Sequence, residues 1–261
     1  MPFPELPDGI EVAGGIDLDD VWDRFEIFEA LHHTMTIDNP MSSEDLDRVV
    51  VLLAPADGDR VLDLACGHGE LLRRLRRAAP ITGVGVDLSP WMLTTAYRLA
   101  QPNEADLSWV LDDAKHHGDT GQHDIVTCLG ASWVWLGLPG TIRAIAQRAV
   151  PGGRVAIGDM HLRPSITPDA VTASHGSLDS IGSIEAMFAR AGIELIETVN
   201  TADHSWDDYL ARTRDAAELW AKQHPGEAAE EFRVEQRKWE QDHARDRAIL
   251  TWSVWVGERR Q

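Results

Sequence analysis

VLDLACGHGELL, residues 61–72, is the stretch whose reading decides the fold. An apolar run ends in an acid, Asp63, crosses Gly67 and Gly69, and turns into a leucine-rich helical pattern. A glycine turn between strand and helix lets a ligand approach the backbone at a helix N-terminus. A dinucleotide fingerprint asks for a third glycine, and this chain has Leu72 at that position. Asp63 aimed at the turn would also repel a pyrophosphate. The same carboxylate suits a cationic ligand carrying an ammonium and a sulfonium, the chemistry of S-adenosylmethionine (SAM).

Outward from this stretch, short β-like runs alternate with helical patterns, the signature of a mostly parallel α/β sheet. The expected strands are Arg60–Leu64, Gly83–Asp87, Leu107–Leu111, Ile125–Gly130 and Arg154–Gly158, followed by 193–199 and 248–257. Helical patterns fall at Glu70–Arg77, Pro90–Ala100, Gly140–Ala149 and Ser183–Ala191, and VPGGR at 150–154 reads as a tight turn. Two segments stand outside the alternation. Residues 1–53 form a segment that is helical from Leu18, broken by NPMSSEDL, with Ser42 or Ser43 capping a second helix. The remainder, 54–261, is the core, with a charged helical insertion at 203–247. Trp206, Leu210, Thr213, Ala217 and Trp220 fall on one stripe of that insertion, and Trp22, Phe25, Phe28 and Leu31 recur at helical spacing in the first segment. Both stripes need a partner, and both segments are expected over the carboxyl ends of the strands.

The 261 residues carry a net charge of −19, which argues against nucleic acid and against an anionic membrane surface. No apolar stretch reaches the roughly 20 residues of a membrane span, and MPFPELPDGIEV has neither a basic nor an apolar leader region. Two cysteines, Cys66 and Cys128, cannot form a disulfide framework, which suits a reducing cytoplasm.

Asp87 ends the second strand of the core, where an acid accepts both hydroxyls of a ribose. Asp113, in LDDA after the third strand, is placed to accept from an adenine amino group. Each acid alone could be a helix cap. Together, VLDLACGHG, GVDLS, LDDA and DIVTCLGASW resemble the class I SAM-dependent methyltransferases from about Arg60 to Asp159. The NP turn at Asn39 and Pro40, CLGASW, and SWDDY before the last strand resemble a bacterial branch of cyclopropane-fatty-acyl-synthase-like methyltransferases. The resemblance implies a doubly wound, Rossmann-like seven-stranded sheet with an antiparallel last strand. It implies a cofactor site built from Asp63, Ala65, Cys66, Gly67 and Gly69, from Asp87, Leu88 and Met92, and from Asp112, Asp113, Ala114, Leu129 and Gly130. Ala65 stands where many members of the family carry glycine.

Methyl transfer from a sulfonium needs alignment and exclusion of water, and a base only if the acceptor loses a proton. His161 reads either as that base or as a packing histidine. His33, or its neighbour His32, could reach the acceptor from the first segment. Trp133 is expected at the transfer site, and Trp206 and Tyr209 along the acceptor. His116, His117 and His123 with Asp112, Asp113 and Asp119 match no metal-ligand spacing. The expectation is a methyltransferase acting on a small-molecule acceptor, as a monomer or homodimer. Its rivals are SAM-dependent cyclopropanation of a lipid, a non-catalytic SAM-binding protein and, last, an NAD-dependent oxidoreductase.

Overall fold

Alternation along the strands sorts the apolar side chains into two cores. Val61, Ile125 and Ala156 enter one, while Leu62, Val126 and Val155 enter the other. The computed structural model describes residues 5–14, 16, 27–100, 106–118, 123–166 and 179–261.

The strands are β1 (Ile10–Val12), β2 (Arg60–Leu64), β3 (Thr82–Asp87), β4 (Leu107–Leu111), β5 (His123–Leu129), β6 (Ala149–Leu162), β7 (Ile193–Asn200) and β8 (Leu250–Arg259). They form one sheet in the order β1-β4-β3-β2-β5-β6-β8-β7, in which β8 runs antiparallel to both of its neighbours. Seven strands match the expectation, and the eighth is β1, which adds to the free edge of β4 in parallel. At three residues it is too short to carry a periodic signal.

The chain leaves β2 toward β3 and β4, then returns to β5 on the other side of β2. Such a reversal opens a crevice at the strands' carboxyl ends. Helices α2 (Ser43–Leu53), α3 (Glu70–Ala78) and α4 (Pro90–Leu99) cover the first core through Leu46, Leu72 and Leu93. Helices α5 (Leu138–Arg148) and α6 (Ile181–Arg190) cover the second through Ile142 and Phe188. Ser42 caps α2 reciprocally with Asp45, satisfying two orphan amides. The glycines of VPGGR do not launch a strand at Arg154. They lie within β6, where the pairing slips so that His123 faces Ala149 and Ile125 faces Arg154.

The insertion is a helical hairpin, α7 (Asp203–Gln223) and α8 (Glu227–Asp246), between β7 and β8. Residues 27–32, α1, are also helical, and they answer the hairpin's aromatic stripe. Ala30 and Leu31 pack with Ala217, Trp220 and Phe232 in a third core. Burying each large side chain there is worth about 1.5–3 kcal/mol. The seam's ion pairs, Arg214–Glu240, Arg233–Glu218 and Arg247–Asp207, are largely exposed and contribute about 0–1 kcal/mol each. Apolar contact therefore holds this assembly together. Trp22 and Phe25 lie outside the described residues.

Candidate functional site

Asp63 sits in mid-sheet, level with Gly85 on β3 and Thr127 on β5. The Thr127 hydroxyl donates to its carboxylate at 2.6 Å, yet burial pushes the acid up to about 7. Asp87, at the end of β3, accepts from the backbone N–H groups of Gly67 and Ser89, each at 2.8 Å. Burial, the largest influence, still raises its pKa. A carboxylate thus ties the glycine turn to the start of α4.

The two glycines of the turn do different work. Gly67 has φ +53°, and a Cβ there would stand 2.8 Å from an Asp38 carboxylate oxygen. Gly69 caps α3 at φ +69°, and a Cβ there would strike the Trp109 ring at 2.3 Å. Gly69 was expected to contact the cofactor; its role here is to admit Trp109 beneath the helix. Ala65 holds φ +56°, the left-handed region that glycine enters without strain.

A cavity of about 600 Å³ opens over the strand ends. Asp63, Ala65, Cys66, Gly67 and Asp87 line its floor. Leu88 and Met92 line it from the start of α4, and Asp113 and Ala114 from the end of β4. Leu129, Gly130 and Trp133 follow β5 along it, and Tyr209 reaches it from α7.

Four further expected residues lie off the cavity. Asp112 turns to His117, 2.9 Å away. His33 lies with Nδ1 2.9 Å from the Ala30 carbonyl along its own turn. Trp206, on α7, is buried in the first core. His161 is the largest correction. Its Nδ1 pairs with the Leu162 carbonyl at 3.0 Å, its Nε2 with the Ser253 hydroxyl at 2.8 Å, and its ring meets the Trp255 edge. Burial lowers its pKa. Strand parity explains this: β6 runs on to Leu162, so Met160 points into the cavity and His161 to the opposite face.

Sequence reasoning missed a buried polar group on the first segment. Asp38 and His68 pair at 3.0 Å. Burial works to raise the Asp38 pKa, but the charge and hydrogen bond of His68 outweigh it and hold the acid below its usual range. His68 is raised in turn, burial opposing and Asp38 prevailing. Glu29 accepts from the Ser89 hydroxyl, and burial pushes it up to about 8. Asn39 donates through Nδ2 to the Leu129 carbonyl at 3.2 Å. Its Oδ1 is buried with no partner among the described residues. The NP turn marked this place, but no local spacing could pair Asp38 with a histidine 30 residues away.

The arrangement fits SAM. Asp87 can accept from a diol, Asp63 can face a cation, and the unpartnered Asn39 oxygen waits for a donor. Among the described residues no cluster could hold a metal ion, and no helix is long and apolar enough to cross a membrane.

Acid-ended strands around a glycine turn, on a sheet whose β8 is antiparallel, define a class I SAM-dependent methyltransferase. Comparison with known proteins agrees. Residues 61–153 match the family described as methyltransferase domain. A SAM-dependent methyltransferase of Thiobacillus denitrificans, solved with S-adenosyl-L-homocysteine, is 31% identical, with 90% of this chain and 98% of that one covered and a TM-score of 0.78. The uncharacterized protein YjhP of Escherichia coli is 27% identical over 219 residues, 81% of this chain and 87% of that one. A ubiquinone biosynthesis O-methyltransferase of Stutzerimonas stutzeri is 28% identical over 144 residues, 55% of this chain and 59% of that one. This chain belongs to the SAM-dependent methyltransferases, and its cofactor is SAM.

Proposed function

We propose that Asp63, Asp87, Asp113 and Asn39 hold SAM across the strand ends, and that the acceptor enters on the side of Trp133, Tyr209 and Trp239. SAM supplies an electrophilic methyl on a sulfonium, with a good leaving group already in place. The chain's own residues align, shield and balance charge. Asp63, poised near neutrality, ionises fully opposite a cation. Asp87 stays fixed by two backbone donors and presents its remaining lone pairs to the cavity. The hairpin and α1 exclude water from the displacement.

The observation that carries this reading is the meeting of Asp63, Asp87 and the unpartnered Asn39 oxygen in one cavity. The two free cysteines support a cytoplasmic location. Calorimetry with S-adenosylhomocysteine and with NAD tests the cofactor. Binding of the first alone is expected, and NAD binding without S-adenosylhomocysteine binding would overturn the reading. Isotope-labelled SAM with fractionated cell extract then reports the acceptor by transfer of label.

A further inference from the structure

His32 and Tyr209 carry the inference, which rests on the SAM-dependent reading above. Nδ1 of His32 lies 2.6 Å from the Phe28 carbonyl and Nε2 lies 2.8 Å from the Tyr209 hydroxyl. A carbonyl can only accept, so Nδ1 bears the hydrogen. In a neutral imidazole Nε2 is then bare, and it accepts the Tyr209 O–H. Burial keeps the ring neutral at physiological pH by lowering its pKa to about 4; nearby Asp38 opposes this, and His68 and His243 reinforce it. Tyr209 is buried and lines the cavity, and with its proton given to His32 its oxygen has lone pairs but no proton to offer a ligand. A hydroxyl satisfies it, whereas an ether, thioether or tertiary amine does not.

The surroundings narrow the class further. Trp239 lies 5.9 Å from Tyr209, centroid to centroid, and His243 lies 3.9 Å from Trp239. These rings are inclined to one another, by 61° and 43°, and Trp252 and Met160 complete an apolar wall. Asp38 is already paired with His68, and Lys115 lines the cavity after β4. Among the described residues the charges that bear on Tyr209 are Asp38, countered by His68, and Arg212, which donates to the Ile37 carbonyl and does not line the cavity.

We propose that Tyr209, its own proton committed to His32, receives the hydroxyl proton of an uncharged aromatic alcohol that is the methyl acceptor. The hydroxyl oxygen bonds to the methyl carbon as the methyl–sulfur bond breaks, its electron pair staying on sulfur. The hydroxyl proton passes to Tyr209, and the Tyr209 proton passes to Nε2 of His32. Tyrosine ends neutral and His32 ends as imidazolium near Asp38, to be deprotonated by solvent when the products leave. An oxygen undergoing alkylation becomes far more acidic than a free phenol, so a weakly basic imidazole is base enough. Tyr209 touches the acceptor and is the catalytic residue; His32 is a positioning residue that holds the proton.

The test uses the full chain saturated with S-adenosylhomocysteine, with phenol, anisole and tetramethylammonium as probes followed by NMR titration. Phenol should bind about tenfold or more tightly than anisole, whose oxygen has no proton to offer. Tyr209→Phe should bring the two within about twofold while S-adenosylhomocysteine affinity stays unchanged. His32→Leu frees the Tyr209 hydroxyl to donate, so anisole should gain affinity, which loss of packing would not produce. Equal binding of phenol and anisole, binding of neither, or tighter binding of tetramethylammonium overturns the proposal. Should Tyr209→Phe fail to fold, the native chain and His32→Leu decide alone. Failure of S-adenosylhomocysteine itself to bind would instead sink the cofactor reading.

Discussion

Replacing Asp63 by Asn should make the ligand-free protein more stable and the cofactor bind less well. Asn keeps the shape and still offers the Thr127 hydroxyl an oxygen, so the exchange isolates the charge. The folded-state pKa of Asp63 is about 7, raised by burial, against an unfolded value of about 4. A raised pKa means that the folded chain binds more protons than the unfolded one between those values. Stability from this group is therefore complete below about pH 4 and is lost as pH rises through 7. At 1.36 kcal/mol per pH unit, about 2 kcal/mol is lost between pH 5.5 and 7, and almost nothing beyond. The advantage of Asp63→Asn over the native chain should thus grow by about 2 kcal/mol between pH 5.5 and 8.5. Glu29, which titrates near 8, is common to both proteins and cancels. Urea unfolding at the two pH values measures the difference. Calorimetry should show S-adenosylhomocysteine bound about 10–100-fold more weakly by the variant, the loss of one charge-assisted contact. A stability difference independent of pH, or a variant less stable at pH 8.5, would refute the reasoning.

Two further substitutions separate structure from chemistry. His161→Ala should cost about 2–4 kcal/mol in urea unfolding, through lost packing and two lost hydrogen bonds, to the Leu162 carbonyl and to the Ser253 hydroxyl, which keeps its bond to Asn200, while S-adenosylhomocysteine affinity holds; weakened affinity with stability intact would return His161 to the site. Ala65→Gly relieves a left-handed residue but gives the unfolded chain more freedom, two opposed effects of about 1 kcal/mol each, so its thermal midpoint should shift by less than about 4 °C. A larger loss would mean that the Ala65 methyl is a packing contact.

Legibility followed the range of the interaction. Asp63, Gly67 and Asp87 were readable because the turn, the strand end and the next strand end recur at fixed offsets along the chain. Asp113, Leu129 and Gly130 followed by the same logic, each at or just past the end of a strand. The Asp38–His68 and His32–Tyr209 contacts join residues 30 and 177 positions apart, and no local pattern encodes them. His161 failed for a smaller reason. Ending β6 at Gly158 made His161 a loop residue, but four more residues of strand turned it to the opposite face from the cavity. The hairpin's stripe announced that a partner existed, and only packing showed that Leu31 supplies part of it.

The place of β8 imposes an order of assembly. Among the described residues, strand β7 pairs with the sheet only through β8, which lies between it and β6. Strand β7 emerges from the ribosome first, with the whole α7–α8 hairpin still to follow, so it has no neighbour to pair with until Leu250–Arg259 arrives. Pairing that must wait for distant chain is slow and leaves an edge exposed meanwhile. Trp252 rides on that late strand, and Tyr209 on the hairpin looped out before it. The aromatic wall therefore forms in the final step, and a nascent chain holding a complete glycine turn still lacks the surface against which an acceptor would rest.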